Sequence, residues 1–184
     1  MKRWERITVW ALLGIFCGLV LMWFLLKQGW WILPIPTGVD VYFIQQTEDQ
    51  SQLVAVKRSI RAKTLENRIQ LAVQELIAGP TPAEKEGGFY SAVPSQTRLL
   101  NCRVEGETVF LDFSPDVDQG GGTKDMEERL GQIVFTATQF PAVKQVQLLI
   151  NGEQPKYFGG EGITEVERPL TRRDFPQFYS GGKQ

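Results

Sequence analysis

The feature that most constrains this chain is a run of twenty residues without a charge, at positions 7–26 (ITVWALLGIFCGLVLMWFLL). As an α-helix rising about 1.5 Å per residue, the run would be about 30 Å long, the thickness of a bilayer's hydrocarbon core. We therefore predict a single transmembrane helix over residues 7–26. Six apolar residues represent the anchoring surface of this helix: Ile7, Leu13, Phe16, Leu19, Phe24 and Leu26.

The residues that flank this run predict its orientation. Lys2, Arg3 and Arg6 precede it against a single acid, and such an excess of basic residues holds a helix end in the cytoplasm. We expect residues 1–6 in the cytoplasm and the chain beyond residue 38 on the far side of the membrane. The alternative is a cleavable signal peptide, whose apolar region has about 7–15 residues and precedes small residues. The following residues, KQGWW, lack that pattern.

Composition excludes several kinds of site. The chain has no histidine, which excludes histidine triads, histidine metal ligands and a histidine pH switch. One of its two cysteines, Cys17, lies in the apolar run, so we expect no disulfide within the domain. Beyond residue 38 there are 16 basic and 20 acidic residues, a balance that offers no electrostatic footprint for nucleic acid.

Residue patterns beyond position 38 predict an α+β domain. Residues 39–44 and 53–60 are rich in β-formers and read as strands. A helical apolar stripe follows from Leu65 to Ile77, with Thr64 as its N-cap and Gly79-Pro80 as its end. Thr81 then offers the cap of a short helical turn.

The second half repeats this alternation. We predict strands over residues 98–104 and 108–113, then a helix capped by Asp125 with Glu128 closing a capping box. A strand over 143–150 leads into Asn151-Gly152, a strong hairpin signal, and a return strand over 153–158. The order predicts a two-layer domain, a mainly antiparallel sheet with two helices on one face. We place a linker at 27–38, the domain at 39–173 and a flexible tail at 174–184.

Two segments at and after the end of the predicted strand over residues 108–113 could bind ions. Asp112, Asp116 and Asp118 are spaced so that their carboxylates could meet at a cation such as calcium, or they could fix the turn after the strand. The glycine-rich residues 120–124 (GGGTK) could bind phosphate through backbone N–H groups. They do not match the phosphate-loop pattern, and a flexible loop is the alternative.

Potential catalytic groups are few. Cys102 has no histidine base and falls on the inward face of a predicted strand. Glu75, Glu84 and Glu86 could provide a carboxylate pair for glycan hydrolysis, although solvated helix faces account for them better. We predict no catalytic residue, no metal ion, no cofactor and no enzyme activity.

The predicted helix that begins after Asp125 and ends at Pro141 has a stripe of uncharged polar residues, Gln132, Thr136 and Gln139, at helical spacing. Such residues can lie against another protein without burying charge. The alternative is that they are satisfied against the chain's own sheet. The stripe is therefore a possible interface.

Three motifs, in this order, resemble the GerMN domain family: AGPT-x-x-E at 78–84, VFLDFS at 109–114, and Q-x-x-x-T-x-T-Q-F-P-x-V at 132–143. The resemblance covers about residues 39–173. It implies a compact fold like the ring-building motifs of large envelope complexes, membrane attachment in bacteria, a link to sporulation and spore germination, and no catalytic activity.

Together these features predict a non-catalytic envelope protein, anchored once in the bacterial cytoplasmic membrane, whose domain binds a protein partner or copies of itself. The alternative is a module that binds peptidoglycan or another glycan through exposed aromatic residues. The candidate aromatic residues are Tyr90, Phe110, Tyr157, Phe178 and Tyr179.

Overall fold

The computed structural model describes residues 16, 18, 20, 22–24, 37–46, 51–159 and 164–178. The chain divides into two compact units, Met1–Ile35 and Pro36–Gln184. The described residues of the first unit are helical. Those of the second unit form an α+β domain.

Among the described residues, no helix has both the length and the apolar content needed to cross a bilayer. A span needs about 20 consecutive, predominantly apolar helical residues. The predicted fold class is therefore wrong in its transmembrane helix. Phe16 and Phe24 are described and exposed, and the other four anchor residues lie outside the described residues: Ile7, Leu13, Leu19 and Leu26.

The first sheet has three strands in the order β2-β1-β3. Strand β1 (Thr37–Gln46) pairs antiparallel with β2 (Ser51–Ile60) along its whole length. Strand β3 (Phe89–Tyr90) covers the opposite edge of β1 at two residues only, Ile44 and Gln45. The first seven residues of β1 are thus left without a strand on that side.

A second sheet has the order β4-β5-β6. Strands β4 (Leu99–Glu105) and β5 (Thr108–Phe113) are antiparallel, whereas β6 (Gln145–Ile150) runs parallel to β5. A parallel pair needs a long crossover connection, which the helix between β5 and β6 supplies. The prediction of one sheet is therefore wrong: the described strands form two three-stranded sheets and one short pair.

The short pair is β7 (Tyr157–Phe158) with β8 (Thr164–Glu165). Asn151 and Gly152 have the positive φ angles of a tight turn, 51° and 80°. The turn closes a single bridge between Ile150 and Glu153 rather than a ladder. The predicted return strand over 153–158 is wrong because only its last two residues form a strand.

Three α-helices occur in the described part of the domain: α1 (Leu65–Ala78), α2 (Pro82–Glu86) and α3 (Thr123–Ala137). The predicted cap of α1 is confirmed, since Thr64 accepts a hydrogen bond from the Asn67 N–H at 3.2 Å. Its predicted end at Gly79 is also confirmed, with φ at 81°. Such local signals can be read from sequence because both partners lie within one helical turn.

Helix α3 begins earlier than predicted. Gly122 occupies the cap position, and its N–H donates to the Asp125 Oδ2 at 2.9 Å. Asp125 therefore lies in the first turn, where a carboxylate stabilises the positive end of the helix dipole. The predicted cap at Asp125, with its box at Glu128, is wrong because the backbone already turns at Gly122.

The core joins these elements. Helices α1 and α3 contact each other and both contact β1, while α1 also contacts β4 in the second sheet. Fully buried side chains at this junction include Phe43, Ile69, Leu76, Leu130 and Ile133. Each such side chain stabilises the fold by about 1.5–3 kcal/mol relative to exposure. The packed chain extends to the buried rings of Phe175 and Phe178.

Candidate functional site

The polar stripe, which begins on α3 and ends at Gln139 two residues past that helix, lies along the edge of β1 that β3 leaves open. Backbone groups on such an edge need partners when they are removed from water. Gln139 provides both partners for Asp40: its Oε1 accepts from the Asp40 N–H at 2.7 Å, and its Nε2 donates to the Asp40 carbonyl at 2.6 Å. One side-chain amide thus replaces one residue of a neighbouring strand.

Thr136 and Gln132 do the same for Tyr42. The Tyr42 N–H donates to the Thr136 Oγ1 at 3.1 Å, and the Gln132 Nε2 donates to the Tyr42 carbonyl at 2.9 Å. The Gln132 Oε1 also accepts from the Ala92 N–H at 2.7 Å. Gln132 and Thr136 are both 0% exposed, so neither has surface left for a partner. The contacts are those of the alternative interpretation, in which the chain's own sheet satisfies the stripe.

Arg129 is a buried arginine that stabilises the domain, and the sequence analysis did not identify it. Its side chain is 3% exposed and donates to four backbone carbonyls at 2.7–3.2 Å. The four acceptors are these: Ala92, Val117, Gln119 and Gly120. Burial lowers the pKa of the guanidinium, against the opposing effect of nearby Asp118 and Asp125. The buried guanidinium of Arg129 thus holds the loop between β5 and α3 in place. In the sequence, this residue is signalled only as a charge on a helix with few exposed positions.

Glu128 is the second charged residue buried on α3. It is 2% exposed, and its Oε2 accepts from the Tyr90 hydroxyl at 2.8 Å. Its Oε1 has no hydrogen-bond partner among the described residues, and the Lys124 Nζ lies 3.6 Å away. Burial, and next the hydrogen bond to Glu128, raise the pKa of Tyr90 to about 12. The pair therefore attaches β3 to α3.

The three loop aspartates do not converge. Among the described residues, no group of three or more acidic or cysteine side chains is arranged to hold a metal ion. Each carboxylate accepts a hydrogen bond from its own surroundings: Asp112 from the Gly152 N–H, Asp116 from the Ser114 hydroxyl, and Asp118 from the Gly159 N–H. These contacts fix turns, as the alternative interpretation has it.

The glycine-rich loop bonds to a carboxylate of the chain itself. Asp125 Oδ2 accepts the Gly122 N–H at the position where an anion would bind. A Cβ placed on Gly121, whose φ is 95°, would come within 2.7 Å of the Asp125 Cβ. The close approach explains the glycine, and the carboxylate takes the role that a phosphate would have.

Cys102 lies half-buried in β4, where its Sγ contacts the Glu66 carbonyl at 3.8 Å. Burial, with a smaller contribution from the charge of Glu66, raises the pKa of the thiol to about 11. Since the thiolate is the nucleophile, this cysteine is protonated and unreactive at neutral pH.

Two of the three candidate carboxylates meet at a single cation. The two terminal nitrogens of Arg58, Nη1 and Nη2, donate to the Glu84 carboxylate at 2.7 and 2.6 Å. The Arg58 Nε lies 3.5 Å from the Glu75 carboxylate. The hydrogen bond from Arg58 lowers the pKa of Glu84 to about 2. A glycosidase acid needs a raised pKa, and Glu84 has the opposite.

The candidate glycan-binding aromatics differ in exposure. Tyr157 is 44% exposed, whereas Phe178 is 6% exposed and stacks on Phe175. Phe110 is half-buried, with the Arg103 guanidinium 4.1 Å from its ring centroid. Tyr179 lies outside the described residues.

Comparison with known proteins identifies the domain. A profile of the Germane family, described as sporulation and spore germination, matches residues 40–156. The chain belongs to the Germane family. The spore germination protein GerM of Bacillus subtilis (strain 168) is 30% identical to this Germane chain over 137 residues, which are 71% of the chain and 36% of GerM. The chain thus spans about a third of the length of that relative.

Solved structures share the fold of the Germane domain. The tandem GerMN domains of the sporulation protein GerM from Bacillus subtilis superpose with a TM-score of 0.60 at 24% identity, covering 76% of this chain and 47% of that one. The first GerMN domain of the same protein gives a TM-score of 0.58 at 23% identity, over 75% of this chain and 99% of that one. The resemblance read from the three motifs is confirmed.

The polar residues of those motifs hold the Germane domain together. In the first motif, Thr81 and Glu84 form the capping box of α2. In the second, the Ser114 Oγ accepts from the Arg98 N–H at 3.0 Å. The third motif contains the amides that cover the edge of β1. The motifs therefore mark structural contacts.

Proposed function

We propose that this Germane chain is a non-catalytic envelope protein that binds a protein partner or further copies of itself during sporulation or spore germination. One observation carries the proposal. The buried polar side chains of Arg129 and Gln132, which a catalytic site could use, are bonded to the chain's own backbone. A domain fixed in this way offers a rigid surface, and rigid surfaces suit protein recognition.

The protonation states of Cys102 and Glu84 support a non-catalytic role. The thiol of Cys102 has its pKa raised to about 11, so little thiolate is present at neutral pH and nucleophilic attack is disfavoured. The carboxylate of Glu84 stays ionised against Arg58 and cannot act as a general acid at neutral pH.

The envelope location is part of the same proposal and rests on the GerMN resemblance. Protease added to intact spheroplasts should degrade the Germane domain while a cytoplasmic control protein survives. Protection of the domain until the cells are lysed would contradict an extracytoplasmic location.

Cross-linking in cells tests the partner. A photo-reactive amino acid at Leu100, an exposed apolar residue on β4, and others at exposed positions across the domain should yield discrete adducts during sporulation. The same residue placed at the buried Leu130 is the matched control and should yield none. A chain that gives no adduct from any exposed position, and stays monomeric after purification, would refute the proposal.

Glycan binding is a second candidate, which Tyr157 favours. Its ring is 44% exposed, and the Lys156 Nζ lies 5.4 Å from the ring centroid, an arrangement that could contact both sugar rings and anionic groups. The full chain should sediment with purified sacculi, and Tyr157→Ala should reduce the bound fraction. Leu100→Ala removes an equally exposed apolar side chain elsewhere and serves as the control. Equal loss in both variants would exclude a role for Tyr157.

A further inference from the structure

A cleft of 460 Å³ opens in the Germane domain where the chain leaves α3 and where the segment after Leu170 returns beside it. Its volume falls within the range of about 300–1,000 Å³ that is usual for ligand pockets. The apolar floor of the cleft is formed by Pro141, which is exposed, and by the small exposed parts of Phe140 and Val143, 6% and 1%.

Charge in this cleft is of one sign. Three of the residues that line it are basic, Lys144, Arg172 and Arg173, and none is acidic. In the described part of the chain, Lys144 and Arg173 are exposed and have no salt bridge. Asp174, which accepts hydrogen bonds from the cleft-lining Thr171, already pairs with Arg168, and Asp40 pairs with Lys57 at 3.2 Å. Among the described residues, Lys144 and Arg173 therefore have no acidic partner.

Arg172 is held in place by the fold. Its Nε donates to the Thr138 Oγ1 and its Nη2 to the Phe135 carbonyl, both at 2.9 Å. Its guanidinium also lies 4.7 Å from the Phe135 ring centroid and 5.4 Å from that of Tyr42. A cation fixed before binding loses little conformational entropy when it meets an anion. Arg172 thus provides a preorganised positive wall, beside which Lys144 and Arg173 are free to move.

We infer that this cleft binds an acidic peptide segment of a partner protein. Carboxylates of the segment would pair with Lys144 and Arg173, and an adjacent apolar side chain would pack on the floor at Phe140 and Pro141. The combination of a recessed apolar floor and a basic rim favours a peptide over a flat surface of lipid headgroups. The inference rests on the proposed function and names the chemistry of the partner.

The test uses the full chain in a mild non-ionic detergent with three labelled peptides, EELEE, QQLQQ and KKLKK, followed by fluorescence anisotropy. EELEE should bind, and the other two should bind at least about tenfold more weakly, because the rim charges are the recognition element. Raising the salt concentration should weaken EELEE binding.

The decisive variant is K144E/R173E, which should reduce EELEE affinity by about tenfold or more. K85E/K156E changes the net charge equally at exposed lysines outside the cleft and should change the affinity less than about twofold. Far-UV circular dichroism and melting curves verify that both variants fold. Equal losses in the two variants, or no binding of EELEE to the parent chain, would overturn the inference.

Two further arms separate the possible explanations. Vesicles containing phosphatidylglycerol that bind the parent chain but not K144E/R173E, while EELEE does not bind, would replace the peptide with a lipid headgroup and overturn the inference. Cellular adducts that persist in K144E/R173E would refute the cleft while leaving the proposed function standing. Binding of EELEE in the cleft without any cellular adduct would support the cleft and refute the proposed function.

Discussion

Replacing Gln132 with leucine tests the central structural argument, that side chains of α3 take the place of a strand beside β1. Gln132→Leu keeps the approximate volume but removes the bonds to the Tyr42 carbonyl and the Ala92 N–H. Leaving a buried backbone group unpaired costs about 1–3 kcal/mol. Because Tyr42 and Ala92 are half-buried and water can reach them in part, we expect a loss of about 2–4 kcal/mol for the two groups together.

The measurement is urea unfolding of the full chain, followed by circular dichroism at 222 nm. Tryptophan fluorescence would not report on the domain, because all five tryptophans precede residue 37. At roughly 2–4 °C per kcal/mol for a chain of this size, the melting temperature should fall by about 4–16 °C. Gln70→Leu makes the same change at an exposed position of α1 and should stay within about 0.5 kcal/mol of the parent.

Hydrogen exchange locates the effect. In Gln132→Leu, the Ala92 amide should exchange faster, because it loses its acceptor. The Tyr42 amide bonds to the Thr136 Oγ1 instead, so it should keep most of its protection and serves as an internal reference. A stability within 0.5 kcal/mol of the parent, or an Ala92 amide that exchanges at the parental rate, would refute the reasoning.

Three more predictions follow from single contacts. Glu84 has its folded pKa lowered to about 2, so its contribution to stability is complete above its unfolded pKa of about 4.3 and is lost as pH falls toward 2; Glu84→Gln should flatten the acid limb of an unfolding-midpoint curve. With Cys17→Ala removing the other thiol, Cys102 should react slowly with iodoacetamide at pH 8 and rapidly only near pH 11 or in denaturant. Gly131→Ala would bring a Cβ within 2.7 Å of the Phe178 ring and should destabilise by about 1–3 kcal/mol, with Phe178→Ala abolishing the difference in a double-mutant cycle.

The success of prediction from sequence depended on how far apart the interacting residues lie along the chain. The caps of α1 and α2 were predicted correctly because Thr64 and Thr81 bond to groups three residues away. The division into two sheets was not predicted, because it depends on strands that meet from distant parts of the chain, as Thr108 and Gln145 do. Periodicity alone does not reveal such a meeting.

The candidate site shows the same limit. The polar stripe was found by its spacing, but spacing could not say whether the sheet or a partner would satisfy it. The burial of Glu128 and Arg129 escaped detection because their partners, Tyr90 and the carbonyl of Val117, lie in other elements. The transmembrane helix was predicted from hydropathy and length alone, and the described residues do not contain it.

A carboxamide carries the same donor and acceptor as a peptide unit, which gives Gln139 an unusual consequence. Open margins of sheets tend to recruit foreign strands and so promote aggregation. Here the side chains of Gln132 and Gln139, from α3 and the turn after it, occupy that margin, so an incoming strand would first have to displace them. This edge is therefore protected against pairing with a strand of another chain.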